Sequence, residues 1–303
     1  MASLKQLKEK RQSINKTRKV TRAMEAVSAV KMRKSQEMAI SAKPYAEAAL
    51  RILLNIADAE SFIKNPLVSP MSSGKTGVLL ITSDKGLAGS LNSAVLKKAQ
   101  KVLSEIANSD VVAISLGRRG NDFFKRKGIE VSLYQENKND EVTEEEMKTI
   151  TEKILEIHLS GQTKEWFVIY TNFKSTFEQD PQILKLFPLS KESIQELINS
   201  IAPEKGKFSE PEKSYTPSSH TIEAETEKDV VSFLVPMLAN IIIYHSLLES
   251  KASEHSARMV AMKNATDKAG EISHLLQLQF NKARQAAITR EVSEITSGIE
   301  AMK

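Results

Sequence analysis

The sequence predicts an α/β protein in which a long antiparallel coiled coil, made of N- and C-terminal helices, carries an inserted Rossmann-like α/β domain. Three observations lead there. Residues 229–303 read as one long helix, with no proline after Pro236 and only Gly270 and Gly298 as weak points. Its apolar positions step by three and four through Leu234, Leu238, Ile241, Leu248, Met262, Leu276, Phe280 and Ile295, the spacing of a coiled-coil seam. A helix of this length spans roughly 100 Å at its ordinary rise, so its stripe needs a partner helix. Residues 1–59 supply that partner at the other end of the chain, and short aliphatic runs alternate with helical patterns between the two.

The first element, residues 1–59, keeps Leu4, Leu7, Ile14, Val20, Met24, Val27 and Met38 on its expected seam, with Pro44 its one breaker. In the long C-terminal helix, Ala257, Ala261, Ala265 and Ala269 lie four apart, a ridge of small residues that lets another helix approach closely. Between the helices, residues 75–201 form the predicted α/β domain. Strands are expected at Gly77–Thr82, Val111–Leu116, Ile129–Tyr134 and Trp166–Tyr170. Helices are expected at Ser90–Ala107, Arg118–Lys127, Val142–Leu159 and Phe187–Ile201. Alternating strands and helices imply parallel strands joined by right-handed crossovers. Residues 202–228, rich in Pro, Lys, Glu and Ser, read as an extended or mobile connector.

Composition narrows the function classes. With 303 residues and 41% hydrophobic content, the chain can bury a substantial core. Aromatics at 5% and 11 glycines fit long helices better than an all-β protein. The absence of cysteine excludes thiolate chemistry and cysteine-ligated zinc. The N-terminus lacks the apolar core of a secretory signal. The longest apolar run, Leu234–Tyr244, is too short to span a membrane and is broken by Pro236 and Asn240. The net charge of +5 is uneven: residues 1–43 hold 12 Lys/Arg against Glu9, Glu25 and Glu37, leaving the remainder net acidic. Such a basic arm suits nucleic acid or an acidic protein surface. Its first aromatic is Tyr45, which argues against stacking on single strands.

Motifs that would carry chemistry do not assemble. Gly74-Lys75-Thr76 resembles the end of a phosphate-binding loop, but Ser69 stands where that loop needs a glycine, and the triplet precedes a strand rather than following one. Gly86 and Gly89 follow the first strand with the wrong spacing for a dinucleotide fingerprint. His245 and His255 are ten residues apart, about 80° from a common helix face, and read as seam or surface residues rather than metal ligands. Asp84 and Asp180 stand in strand-end loops with no identifiable acid–base partner. The residues assign no catalytic site, no cofactor site and no metal site. A Rossmann-like enzyme with helical arms would need the missing fingerprint; a basic coiled-coil scaffold would bind nucleic acid with strong salt dependence.

Five segments in order carry a resemblance: TRKVTRAMEAVSAVKMRKSQ at Thr17–Gln36, SDKGLAGSLN at Ser83–Asn92, the stretch Tyr170–Leu189 with Asn172, Phe173, Gln179, Pro181 and Pro188, SEHSARMVAMKNATDKAGE at Ser253–Glu271, and KARQAAITREVSEITSG at Lys282–Gly298. The chain resembles the gamma subunit of the F-type ATP synthase over nearly its whole length. It departs from the family pattern at Ile299, where alanine is usual, at Glu223-Ala224, where a Glu-Pro pair is usual, and at Arg11 on the seam.

The resemblance implies a non-catalytic rotor shaft. It would stand in a hexamer of alpha and beta subunits, one copy per complex, and form a foot with the epsilon subunit on the ring of c subunits. Contact with the membrane would be only through that ring, on the cytoplasmic face of a bacterial plasma membrane, and nucleic acid is not an expected partner. Carried over residue by residue, Arg284, Gln285, Thr289 and Glu291 match positions that meet a beta-subunit loop on the upper shaft, and Met24 matches a position facing an acidic beta-subunit loop lower down. Ile222 and Glu223 match, loosely, foot positions near the c ring.

Overall fold

A computed structural model describes residues 3–56, 60–137, 144–190, 194 and 224–302. The helices are α1 (Leu4–Ile56), α2 (Glu60–Ile63), α3 (Leu91–Leu103), α4 (Arg118–Lys127), α5 (Glu144–Leu159) and α6 (Ala224–Ala301). The strands are β1 (Lys75–Ile81), β2 (Val111–Leu116), β3 (Val131–Gln135), β4 (Thr163–Phe173) and β5 (Gln179–Phe187). The chain divides into two compact units, Met1–Ala29 with Arg258–Lys303, and Val30–Ala257, so each long helix contributes to both.

In the larger unit the five strands lie in the order β3-β2-β1-β4-β5. β1 pairs parallel with β2 and β4, and β2 pairs parallel with β3. The period of two along each strand builds two cores. Val78 and Leu80 of β1, Ala113 of β2 and Ile169 of β4 face α3 and α4, meeting Val95, Ala99, Leu103, Phe123 and Phe124. Leu79, Ile81, Ile114, Leu116 and Val168 face the other way, onto Ile150 and Ile154 of α5 and Val235, Leu238, Ile242 and Leu247 of α6. Gly77 is small because Trp166 crosses it: a Cβ there would sit 2.2 Å from the indole. A window of α6 is long and apolar enough to cross a membrane, but 44% of it is buried within the protein. Its apolar face is the wall of this core.

The all-parallel sheet expected from the sequence is corrected by β5, which pairs antiparallel with β4 from Phe173↔Gln179 to Trp166↔Phe187. β5 ends at Phe187, the first residue of the segment read as a helix. Ile194 is helical, and the rest of residues 191–223 lies outside the described residues. The edge position explains why Pro181 is tolerated in β5, since an edge strand can spare an N–H. The connector read at 202–228 lies outside the described residues up to 223, and α6 is already helical from Ala224.

The helix seam also needs correction. Among the described residues the buried positions of α1 are Leu7, Thr21, Ser28 and Ser35, a seven-residue repeat that Ile14, half-buried, completes. Val20 and Val27, expected on the seam, are 58% and 53% exposed. The seam lies one residue further along and is lined there by small hydroxyl side chains, which leaves the valines facing outward.

Candidate partner-contact surfaces

In the smaller unit α1 and α6 run antiparallel. The hydroxyls of Thr21 and Thr266 lie 2.7 Å apart, and Ser273 Oγ donates to Asn15 Oδ1 at 2.8 Å. A Cβ added to Gly270 would come 3.6 Å from Arg18 Nε. The paired numbers sum to 287 or 288 at each level, so the register holds over this stretch. Met262, Thr266, Ala269 and Leu276 are buried on the α6 side. Of the alanine ridge, Ala269 is buried and Ala257, Ala261 and Ala265 are half-buried.

Extended along α6, this register sets Arg284 level with Leu4, where α1 begins. Every residue from 284 to 302 is exposed. Arg284 and Glu291, seven apart, project about 20° from each other around the helix, and Gln285 and Thr289 form a second pair about 40° apart. The two pairs point roughly 130° away from each other. Met24 is half-buried on α1 and sits opposite residue 264, about 30 Å down the axis from Arg284. The structure therefore brings Arg284, Gln285, Thr289 and Glu291 to one bare helix end and keeps Met24 apart from them. Ile222 and Glu223 lie outside the described residues.

A further apolar stripe accompanies these polar residues. Ile288, Val292, Ile295, Ile299 and Met302 are all more than half exposed and follow a step of four and three along α6. The coiled-coil seam simply continues past the level at which α1 starts. Val20, Val27 and Val30 make a second exposed apolar line on α1, flanked by exposed Lys16 and Lys19. The sequence contained both lines; the signal for the second was valine spacing, misassigned to the seam.

The strand-end loop that a Rossmann enzyme would use for phosphate is filled by its own side chains. Arg118 N, the first amide of α4, donates to Asp84 Oδ1 at 2.6 Å, and Gly120 N donates to Thr82 Oγ1 at 2.8 Å. Asn92 closes the loop by accepting from Ser83 N and donating to Ser83 Oγ. A carboxylate thus already stands where a phosphate would meet the positive end of α4. The close fit leaves Gly117, at φ +96°, no room for a side chain: a Cβ would lie 2.1 Å from the carbonyl oxygen of Thr82. Leu87 at the loop tip takes φ 64° and is 61% exposed. Asp180, the other strand-end carboxylate, pairs with Lys174 at 2.8 Å. A groove of about 710 Å³ beside α3 mixes Lys98, Lys101 and Lys164 with Glu105, Asp110 and Glu165. Among the described residues no group of three His, Asp or Glu converges as a metal site.

Among the described residues two histidines are buried. His158 is fully buried and stacks on Phe187 with ring centroids 5.0 Å apart. Trp166 Nε1 donates to Thr163 Oγ1 at 2.8 Å, and the same hydroxyl oxygen lies 3.3 Å from His158 Nδ1. Burial lowers the His158 pKa, against hydrogen bonds to the backbone of Thr163 and Pro66 that raise it. His255 is buried as well.

Two long antiparallel helices and a five-stranded mixed α/β sheet, with no catalytic constellation among the described residues, define a class of α/β protein built on a coiled coil, and comparison with known proteins agrees. The ATP synthase family profile matches residues 3–302. The gamma chain of ATP synthase from Psychrobacter sp. is 36% identical over 304 residues, and that from Pelotomaculum thermopropionicum 34% over 303, each match covering 100% of both chains. The rotor of the Euglena gracilis mitochondrial ATP synthase superposes with a TM-score of 0.61 at 17% identity, covering 94% of this chain and 98% of that one, and so shares the fold. The chain belongs to the ATP synthase gamma chain family, the non-catalytic central-stalk subunits of the F-type enzyme.

Proposed function

We propose that this chain is the rotor shaft that couples ion-driven turning of a membrane c ring to the conformational cycle of catalytic beta subunits. Its partners in this reading are a hexamer of alpha and beta subunits around the shaft, an epsilon subunit on the α/β domain, and the c ring below, at the cytoplasmic face of a bacterial plasma membrane. The observation that carries the reading is the bare end of α6. Past Arg284, which stands level with the first residue of α1, the exposed residues 285–302 still keep a coiled-coil apolar stripe. An isolated helix with such a stripe is marginal in water, so a surrounding apolar surface is what its sequence suits.

Domains follow from the same reading. Residues 1–59 and 229–303 serve as the shaft, 75–201 as the foot, and 202–228 as the connector that brings Ile222 and Glu223 toward the c ring. On the shaft, Arg284 offers a forked donor, and Gln285 and Thr289 add neutral hydrogen bonds for a beta-subunit loop. Glu291 extends the same surface, and Met24 with its basic neighbours meets an acidic loop lower down. Reconstitution tests the whole. The purified chain mixed with alpha and beta subunits should yield a complex that hydrolyses ATP, and recovery of the chain as a separate species from an unchanged hexamer would rule the reading out.

A further inference from the structure

We propose that the α6 face from Glu249 to Ser256 is a hydrogen-bonded latch standing in for a missing strand at the end of β4, with Glu249 as its pH-responsive member. β1 accompanies β4 as far as the pair Leu80↔Ile169. Beyond it, Thr171 and Phe173 keep β5 on one side, through Thr171↔Pro181 and Phe173↔Gln179. On the side where β1 has ended, α6 takes over. Phe173 N donates to Glu249 Oε2 at 2.9 Å, and Thr171 N faces Ser250 Oγ at 3.4 Å. Ser253 Oγ donates to the Thr171 carbonyl at 3.3 Å, and Ser256 Oγ donates to that of Thr176 at 2.7 Å. Residues 249, 253 and 256 recur at the spacing of one helix face, so a single rigid element reaches the end of the strand and the loop that follows it.

The three serines cannot titrate; Glu249 can. Its side chain is 17% exposed. Among the described residues the groups facing it are His245 one turn earlier on α6, at 3.8 Å, and Tyr170 on β4, whose own ionisation is opposed first by burial and then by Glu249 and Asp180. Asp180 on β5 is itself held by Lys174, which also reaches Glu178 at 3.5 Å. Burial pushes the Glu249 carboxyl up to about 7, and the Phe173 amide opposes that rise. Above neutrality the ionised carboxylate accepts a charge-assisted bond from Phe173; below it the neutral acid accepts a weaker one. Protonated His245 would favour the carboxylate and so works against release.

The inference does not depend on the rotor reading, and hydrogen exchange in the full chain tests it. After correction for intrinsic rates, protection of the Phe173 amide should fall at least tenfold between pH 8 and pH 6, with a midpoint near 7. E249Q should remove that dependence, while S253A should loosen Thr171 without changing it. Because E249Q could perturb folding, the carboxyl carbon of Glu249 in the wild-type chain gives an independent reading: its chemical shift should titrate together with the Phe173 amide. Protection at Phe173 that is flat with pH, a Glu249 carboxyl that does not titrate between pH 6 and 8, or a pH dependence that survives in E249Q would overturn the proposal.

Discussion

At the scale of single residues, two positions show how tightly the α/β unit is built. Gly117 needs both its positive φ and its missing side chain, because the Thr82 carbonyl occupies the space. Gly117→Ala should lower stability by roughly 2–4 kcal/mol, seen as a reduced urea midpoint with an unchanged slope. His158 is the second. Its folded pKa lies below its unfolded value of 6.5, so the unfolded chain binds the proton more readily. Its contribution is fully present above pH 6.5 and is lost as pH falls below it, at up to about 1.4 kcal/mol per pH unit. Urea midpoints at pH 7.5 and 5.5 should differ more in the wild type than in His158→Gln. Equal differences would mean that the ring is not held neutral by its site.

At the scale of elements, the pairing of α1 with α6 is a matter of register. Asn15 and Ser273 meet at 2.8 Å, and the hydroxyls of Thr21 and Thr266 stand side by side, buried. Buried polar pairs of this kind contribute little net stability, but they leave unsatisfied groups if the helices slip, so they fix alignment. Cysteines placed at 15 and 273 should form an intramolecular disulfide under mild oxidation. A pair displaced by one turn, at 15 and 277, should not. Dimers cross-linked between chains would show that the pairing is wrong.

At the scale of the whole chain, the exposed polar residues of the α6 end are separable from folding. Arg284 and Gln285 make no buried contact, so R284A/Q285A should leave the helicity and urea midpoint of the isolated chain within about 0.5 kcal/mol of wild type. If they meet a beta subunit, the same variant should weaken assembly or slow ATP hydrolysis, at about 1–3 kcal/mol for each charged hydrogen bond lost. Circular dichroism of the chain and turnover of the reconstituted complex measure the two effects. Normal turnover with normal assembly would return these residues to ordinary surface.

The sequence by itself determined the elements whose residues bury one regular face. The stripe of α6, the short aliphatic runs of β1, β2 and β4, and the amphipathic α4 and α5 were legible because a helix packed on one face shows a period of 3.6 and a strand covered on both faces is apolar throughout. The contact residues of the α6 end were legible as a match to a family, and their exposure fits that reading without testing it. The tertiary structure alone decided three things. β5 is half-buried along most of its length and holds Pro181, so no period marks it; β4 recruits it as an edge strand. The α1 seam falls on Thr21 and Ser28 rather than Val20 and Val27, because adjacent residues lie only about 100° apart on a helix and the choice rests on Thr266, 245 residues away. The latch at Glu249 depends on β1 ending earlier than β4, and sheet register is a property of paired strands that neither strand's own sequence records.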